Sequence, residues 1–167
     1  MKDGIKVYKD LKVWQKAVEV VCDVIELVDM LPPGPARDII GKQILGSSTS
    51  VCANIAEGHS SGITREYNRI LKIAYREAKE TDNWLQVIQR SKKFAIPKII
   101  AFARKTEKKN IGVIKMLSAL KKSIKYLEVF SIMITSVILD NYKMYPISCI
   151  LRPISGEVAE WSKAPAC

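Results

Sequence analysis

The stretch KDLKVWQKAVEVVCDVIELVDMLPP, residues 9–33, determines the fold class. Its apolar residues recur at spacings of 3, 4, 3, 4 and 3, the pattern of a helix that packs nearly parallel to its neighbours. These residues are Leu11, Trp14, Val18, Val21, Ile25 and Val28. Asp10 is the expected N-cap, and Pro32 and Pro33 end the helix because proline lacks an amide donor and disfavours helical geometry just before it. The segment therefore predicts an amphipathic helix with a sharp end.

Three further segments carry the helical period. A second helix is expected to begin at residues 35–38 and to end at Gly58, since glycine readily adopts the left-handed conformation found just past a helix end. A third is expected over residues 64–90 and a fourth over residues 98–127. Four amphipathic helices joined by short breaks predict an all-α fold, an antiparallel up-down four-helix bundle. We assign residues 1–127 to this bundle and residues 128–167 to a separate C-terminal tail.

The same spacing assigns an inner face to each of the later helices. For the second helix the face consists of Ile40, Ile44, Ser47, Val51, Asn54 and Ile55. For the third it consists of Tyr67, Ile70, Leu71, Ala74, Ala78, Thr81, Leu85 and Ile88. For the fourth it consists of Ile99, Phe102, Ala103, Ile111, Ile114, Leu117, Leu120, Ile124 and Leu127. The small residues GSSTSVCA at positions 46–53 allow a neighbouring helix to approach the second helix closely.

Positive charge is concentrated in one segment. Residues 90–125 contain twelve Lys or Arg residues and a single acid, Glu107, so this segment carries a formal charge of +11. The whole chain is +10, and the other 131 residues therefore sum to −1. A polyanion is the natural partner of such a segment.

The alternative is that these lysines form an ordinary solvated helix face. Such a face usually mixes both signs, because Glu and Lys four residues apart attract each other by a few tenths of a kcal/mol. Here Lys108, Lys115 and Lys122 recur every seven residues, and Lys121 and Lys125 repel each other without a nearby acid. The pattern favours a phosphate-bearing ligand.

Composition restricts the other function classes. No apolar stretch approaches the 18 to 20 residues of a membrane span, and the N-terminus lacks the pattern of a secretory signal, so we expect a cytoplasmic protein without membrane contact. The four cysteines are far apart, and Cys22 and Cys52 are expected in the core. With one histidine, His59, expected in solvent after a helix end, we anticipate no metal, no cofactor and no catalytic residues.

Three motifs carry a resemblance to a known family. They are YKDLKVWQKA at residues 8–17, QILGSSTSVCANIAEG at 43–58, and REYNRILKIAYREAKET at 65–81. In order and content they resemble the proteins encoded in intervening sequences of 23S ribosomal RNA genes. The resemblance covers about residues 6–127. The family name records where the genes lie and does not itself demonstrate binding of ribosomal RNA.

The resemblance implies a cytoplasmic four-helix bundle that assembles into a ring, a homopentamer. It also implies kinship with the accessory proteins of diversity-generating retroelements, which bind nucleic acid and a reverse transcriptase. Where the family pattern has two arginines, this chain has Leu45 and Gly46, so no role of those arginines transfers. Asn54, Glu57 and Gly58 match the family's N-I-A-E-G motif. We interpret them as structural, with polar links between helices and a helix terminator, in preference to ligand contacts.

The tail does not follow the bundle pattern. Its ending GEVAEWSKAPAC resembles a translated leucine or serine transfer-RNA gene, which suggests a reading frame that has run into a neighbouring gene. The alternative is an added interaction segment, in which Phe130, Ile132, Ile134 and Val137 cover an apolar groove.

These observations lead to a functional hypothesis. We expect a non-catalytic oligomer that binds RNA or an RNA–DNA hybrid through Arg104, Lys105, Lys108, Lys109, Lys115, Lys121, Lys122 and Lys125. Phe94, Phe102 and Tyr126 are the available stacking residues, so binding should be weakly sequence-specific. The alternative is a protein-interaction scaffold that recruits a partner such as a reverse transcriptase without touching nucleic acid.

Overall fold

The fold was obtained as a computed structural model that describes residues 7–61 and 65–142. Over these residues the chain forms four α-helices and no strand: α1 is Lys12–Met30, α2 is Pro35–Ser60, α3 is Arg65–Arg90 and α4 is Pro97–Tyr142. Single turns of 3₁₀ helix, Tyr8–Asp10 and Lys92–Phe94, precede α1 and α4. The all-α expectation is confirmed. Residues 143–167, which include the GEVAEWSKAPAC ending, lie outside the described part.

The chain divides into two units, Met1–Leu127 and Glu128–Cys167. The hydrophobic core lies within the first unit and draws on all four helices. Of the second unit the structure describes residues 128–142, which are the last turns of α4.

Only the C-terminal end of α1 lies where the sequence predicted it. Leu11, with extended backbone, is the residue before the helix, whereas Asp10 lies in the preceding 3₁₀ turn, so the expected Asp10 cap is wrong. The turn closes through a hydrogen bond from the Leu11 amide to the Tyr8 carbonyl, which moves the helix start past Asp10. The other end is as predicted, because α1 stops at Met30, just before the Pro32 and Pro33 pair.

Each buried position of α1 lies one residue before the position that the sequence predicted. Its buried residues are Val13, Ala17, Val20, Val24 and Leu27, and Leu31 follows in the same series. The predicted neighbours are less covered, since Trp14 is half-buried and Ile25 is 49% exposed. Both series have the same 3-and-4 spacing, and their directions differ by about 100° around the helix. Hydrophobic spacing alone therefore does not choose between them, and α1 has a wide apolar face.

The inner faces of α2 and α3 follow the sequence closely. In α2 the predicted residues Ile44, Ser47, Val51 and Ile55 are buried, while Ile40 and Asn54 are half-buried. In α3 every predicted inner residue is buried except Tyr67, which is half-buried. The hydroxyl oxygens of Ser47 and Thr81 lie 3.0 Å apart in the core, so small polar residues join the two helices there.

Gly58 is a packing residue and not a helix terminator. Helix α2 continues through it to Ser60, and among the described glycines only Gly34 has a positive φ. A Cβ atom at position 58 would lie 3.0 Å from Tyr67 Cδ2 and 3.4 Å from Ile70 Cγ2. The absence of a side chain thus allows α3 to pack against this turn of α2. The helix end predicted at Gly58 is therefore wrong by two residues, and His59, expected in solvent past that end, is half-buried in the last turn.

Two polar residues occupy core positions of α4. The buried residues up to Leu117 are Ile99, Ala103, Thr106, Asn110, Val113 and Leu117, and Ile124 continues the series. The Thr106 hydroxyl donates to the Phe102 carbonyl at 3.1 Å, and Asn110 Nδ2 donates to the Ala78 carbonyl of α3 at 2.9 Å. The predicted inner residues Ile111 and Leu127 are 36% and 53% exposed, and their assignment was wrong. The prediction counted only apolar residues as buried. It therefore left out Thr106 and Asn110 and included the exposed Ile111 and Leu127.

Helix α4 is also longer than predicted, ending at Tyr142 instead of residue 127. No proline or glycine occurs between Gly112 and Pro146, so nothing in the sequence interrupts the helix. In this continuation Phe130, Ile132 and Ile134 are exposed. Among the described helices none combines the length and apolar composition that a membrane crossing requires.

Two glycines of α2 provide a matched test of this packing. Position 46 has no atom within 4 Å of an added Cβ, whereas position 58 faces the Tyr67 ring. We expect Gly46→Ala to raise the free energy of unfolding by about 0.5–1 kcal/mol through helix propensity. Gly58→Ala gains the same propensity but crowds Tyr67, so it should be less stable than Gly46→Ala by about 1 kcal/mol or more. Urea denaturation followed by circular dichroism measures both, and equal stabilisation would contradict the close approach.

Candidate nucleic-acid interface

The exposed side of α4 carries a line of basic residues. Arg104, Lys108, Lys115 and Lys122 are all exposed, and we call these four residues the basic row. At about 100° per residue, each lies within about 40° of the direction opposite to the buried residues of α4. With a rise of about 1.5 Å per residue, the row is about 27 Å long. Burial of the opposite side of the helix thus places these four charges in a single exposed line.

The single acid of the basic segment does not belong to this line. Glu107 is half-buried and its carboxylate accepts hydrogen bonds from the side-chain amides of Gln86 and Gln89 in α3, the latter at 2.8 Å. Asp82 of α3 lies in the same region, and burial, reinforced by the nearby Glu107 charge, raises its pKa despite Lys79 at 4.0 Å. Glu107 is therefore engaged with α3, and no acid of α4 between residues 98 and 127 interrupts the basic row.

Two of the predicted contact residues are engaged with other helices. Lys109 Nζ lies 3.0 Å and 2.8 Å from the two carboxylate oxygens of Asp23 in α1, whose side chain is only 14% exposed. Lys121 Nζ lies 4.0 Å from the centre of the Tyr75 ring in α3, a cation–π contact. Both side chains are half-buried. Lys109 in particular holds α4 to α1, a role that the sequence did not reveal because Asp23 is 86 residues away.

The remaining two predicted residues lie beside the basic row. Lys105 is exposed, with Nζ 5.7 Å from the centre of the Phe102 ring, and Lys125 is exposed on the other flank. The structure thus brings together four of the eight predicted residues in one line, places two beside it, and directs Lys109 and Lys121 toward neighbouring helices.

The three candidate stacking residues differ sharply in exposure. Phe94 is fully buried because the Lys92–Phe94 turn directs it into the core, and Phe102 is half-buried. Tyr126 is 76% exposed. It follows Lys122 by four residues, so it continues the direction of the basic row. Only Tyr126 of the three presents a free ring surface.

The residues of the N-I-A-E-G motif have local structural roles. Asn54 Nδ2 donates to the Ser50 carbonyl at 2.7 Å, a bond within α2 and not the link between helices that we expected. Glu57 is exposed, and Gly58 allows the close contact with α3. Gly46 is exposed and Leu45 is half-buried, so α2 adds no positive charge where the family pattern has arginines.

The two cysteines in the described part of the chain, Cys22 and Cys52, differ in burial. Cys52 packs against the core, and burial raises the pKa of its thiol to about 11, with the nearby Cys22 contributing less. Cys22 is exposed, so its expected place in the core is wrong. Within the described residues no group of three or more histidine, cysteine or acidic side chains gathers that would hold a metal ion.

Over the described residues, four helices share one core, and an uninterrupted basic line lies on the exposed side of the last. This part of the chain is all-helical, and α4 carries the largest net positive charge of the four helices. The family model described as 23S rRNA-intervening sequence protein matches residues 9–119, and the chain belongs to this family. The resemblance seen in the sequence motifs is thereby confirmed.

One solved structure illustrates the family fold. It is a protein of unknown function from the S23 ribosomal protein family of Bacteroides thetaiotaomicron, which is 27% identical in sequence and has a TM-score of 0.57. The similarity covers 66% of this chain and 98% of the other. No curated protein matches this chain with significance.

Lys108 and Lys109 are adjacent on α4, but Lys109 pairs with Asp23 of α1 whereas Lys108 is exposed to solvent. We expect Lys109→Ala to lower the free energy of unfolding by about 1–3 kcal/mol, because it leaves the largely buried Asp23 carboxylate without its partner. Lys108→Ala removes an exposed charge and should change stability by less than about 0.5 kcal/mol. Chemical denaturation measures the free energy of unfolding of both variants. Equal losses of stability would contradict a stabilising ion pair between Lys109 and Asp23.

Proposed function

We propose that this protein is a non-catalytic accessory protein that binds RNA or an RNA–DNA hybrid through phosphate contacts of the basic row. The observation that carries the proposal is the continuous exposed line of Arg104, Lys108, Lys115 and Lys122, from which Glu107 is turned away. Four cations along about 27 Å match a polyanion better than they match a compact anionic ligand.

Phosphate contacts of this type supply affinity without reading sequence. Each neutralised phosphate releases counterions, which gives a dependence of log K on log salt of about −0.7 per contact for single strands and −0.9 for duplex DNA. The four residues of the basic row therefore supply a steep salt dependence but little base specificity. Binding of this kind suits a protein that holds a nucleic acid for another component to act on.

On this proposal the four helices form an antiparallel up-down bundle. The supporting contacts are those of α3 with α4, where Gln89 contacts Glu107 close to the connection between the helices. Tyr75, further back along α3, contacts Lys121, further along α4. The contacts of α2 with α3 also pair residues in opposite chain order. Gly58, near the end of α2, lies close to Tyr67 near the start of α3, whereas the earlier Ser47 contacts the later Thr81.

The proposal also includes assembly into a ring, a homopentamer. Its support is the second apolar series of α1, in which Trp14, Val18 and Val21 are half-buried and Ile25 is 49% exposed. A second copy that covers this series would remove apolar surface from water. Several basic rows in one particle would then raise the avidity for a long nucleic acid.

The central prediction concerns three lysines of the basic row. Replacing Lys108, Lys115 and Lys122 together by Ala should weaken binding of a fluorescent RNA oligonucleotide by roughly 30- to 100-fold at about 0.15 M salt. The slope of log K against log salt should fall by about 2, because three phosphate contacts are lost. Fluorescence anisotropy across a salt series measures both quantities.

A control with the same change in charge distinguishes the basic row from net charge. Lys12, Lys42 and Lys72 are exposed on α1, α2 and α3, one on each helix. Their triple Ala variant should bind within about threefold of the original protein, since it keeps the basic row. Equal loss in the two triple variants would show that only net charge matters. An original protein that binds no nucleic acid at low salt would overturn the proposal and favour a scaffold that recruits a protein partner.

A substitution at Ile25 tests the proposed ring assembly. We expect Ile25→Glu to reduce the particle mass, measured by light scattering after size-exclusion chromatography, from about five times the chain mass of 18.8 kDa to that of a single chain. The cause is the cost of burying an unpaired carboxylate in an apolar contact. Lys16→Gln makes the same change of charge about 180° away on α1 and should leave the particle mass unchanged. A single-chain mass for the unmodified protein would contradict the ring.

A further inference from the structure

The basic row ends at an exposed aromatic ring. Tyr126 is 76% exposed, and it follows Lys122 by four residues, which places the two side chains side by side on the helix surface. Lys125 is exposed on the flank of the same turn. An aromatic ring next to two lysines is the combination that binds a nucleobase by stacking and its phosphates by charge.

Three other aromatic rings on or against α4 within the first unit are already in use. Phe94 is in the core. The Tyr75 ring is covered by the Lys121 ammonium at 4.0 Å, and Phe102 is half-buried with Lys105 nearby. Of these four rings, Tyr126 is the one that offers its face to a ligand. Phe130 is also exposed, at 62%, but it belongs to the second unit.

The shape of the basic row restricts which nucleic acid reaches that ring. The row is a single line on the exposed side of one helix, so it matches the phosphates of one strand. In a duplex the bases of that strand are stacked and paired, and their faces are closed to a tyrosine. In an unpaired strand the faces are open, and stacking on a ring contributes to affinity whatever the base.

We propose that the basic row selects single-stranded nucleic acid, with one unpaired base stacked on Tyr126 while Lys122 and Lys125 contact its neighbouring phosphates. This inference rests on the proposed function and narrows its ligand to an unpaired strand, which excludes the base-paired part of an RNA–DNA hybrid. The two parts of this surface then have different effects on binding. The basic row supplies the salt-dependent affinity, and Tyr126 supplies the preference for unpaired bases.

The experiment compares Tyr126→Ala and Tyr126→Phe with the original protein, using fluorescence anisotropy. The probes are a 12-nucleotide oligo-uridine, the matching oligo-deoxythymidine, a duplex of the same length, and a strand with abasic sites throughout. Leu127→Ala is the matched control, because it removes an exposed apolar side chain next to Tyr126 without removing a ring. Circular dichroism verifies that the helix content of all variants is unchanged.

Tyr126→Ala should weaken binding of the two normal single strands by about fivefold or more, while Tyr126→Phe and Leu127→Ala stay within about twofold. Binding of the abasic strand and of the duplex should be the same for all variants, and the salt slope should not change. The RNA and DNA arms show whether the sugar matters to the preference.

Equal affinity of the original protein and Tyr126→Ala for the normal single strands would overturn this inference. If binding in that case still depended on Lys108, Lys115 and Lys122, the proposed function would stand. An equal loss for the abasic strand would also overturn it, since the ring would then act without a base. Absence of binding to every probe at low salt would overturn both proposals together.

Discussion

Burial of one side of α4 in a core shared with the other three helices fixes where each charge of that helix lies. The Asn110 amide is central to this constraint, because its bond to the Ala78 carbonyl is made in the interior. Rotation of α4 by one residue would bring Lys109 or Ile111 to that position and leave the interior bond unmade. Buried polar groups without partners cost about 1–3 kcal/mol, so Asn110 favours one rotational setting of the helix. With that setting, Lys108, Lys115 and Lys122 all face solvent.

The lysines and arginine of α4 occupy two kinds of position. Lys109 and Lys121 connect α4 to α1 and α3 through an ion pair and a cation–π contact. The basic row makes no comparable contribution to the core, and four like charges on one face repel each other. On the proposed function, a bound polyanion would relieve that repulsion. Leu45 and Gly46 are uncharged where the family pattern has arginines, and α4 carries the largest net positive charge of the four helices.

The sequence predicted α3 almost completely because its polar and apolar residues alternate with an unambiguous helical period. It was less informative for α1, where two apolar series share the same spacing and only contact with the other helices selects Val20 and Val24 over Val21 and Ile25. In α4 the polar residues Thr106 and Asn110 interrupt the apolar pattern although they are buried. The roles of Gly58 and Lys109 depend on Tyr67 and Asp23, residues on other helices, and a single-helix pattern contains no information about such partners.

If a nucleic acid covers the exposed line on α4, the lysines of that line are shielded from reagents when it binds. Lysine footprinting of the unmodified protein tests this coverage most directly: lysines are acetylated with and without a single-stranded RNA, and the labelled peptides are quantified by mass spectrometry. We expect RNA to lower the reactivity of Lys108, Lys115 and Lys122. We expect Lys12 and Lys16 on α1 to stay reactive, and Lys109 to react slowly in both samples. Unchanged reactivity of the three α4 lysines in an RNA-bound sample, or equal protection of all exposed lysines, would contradict this coverage.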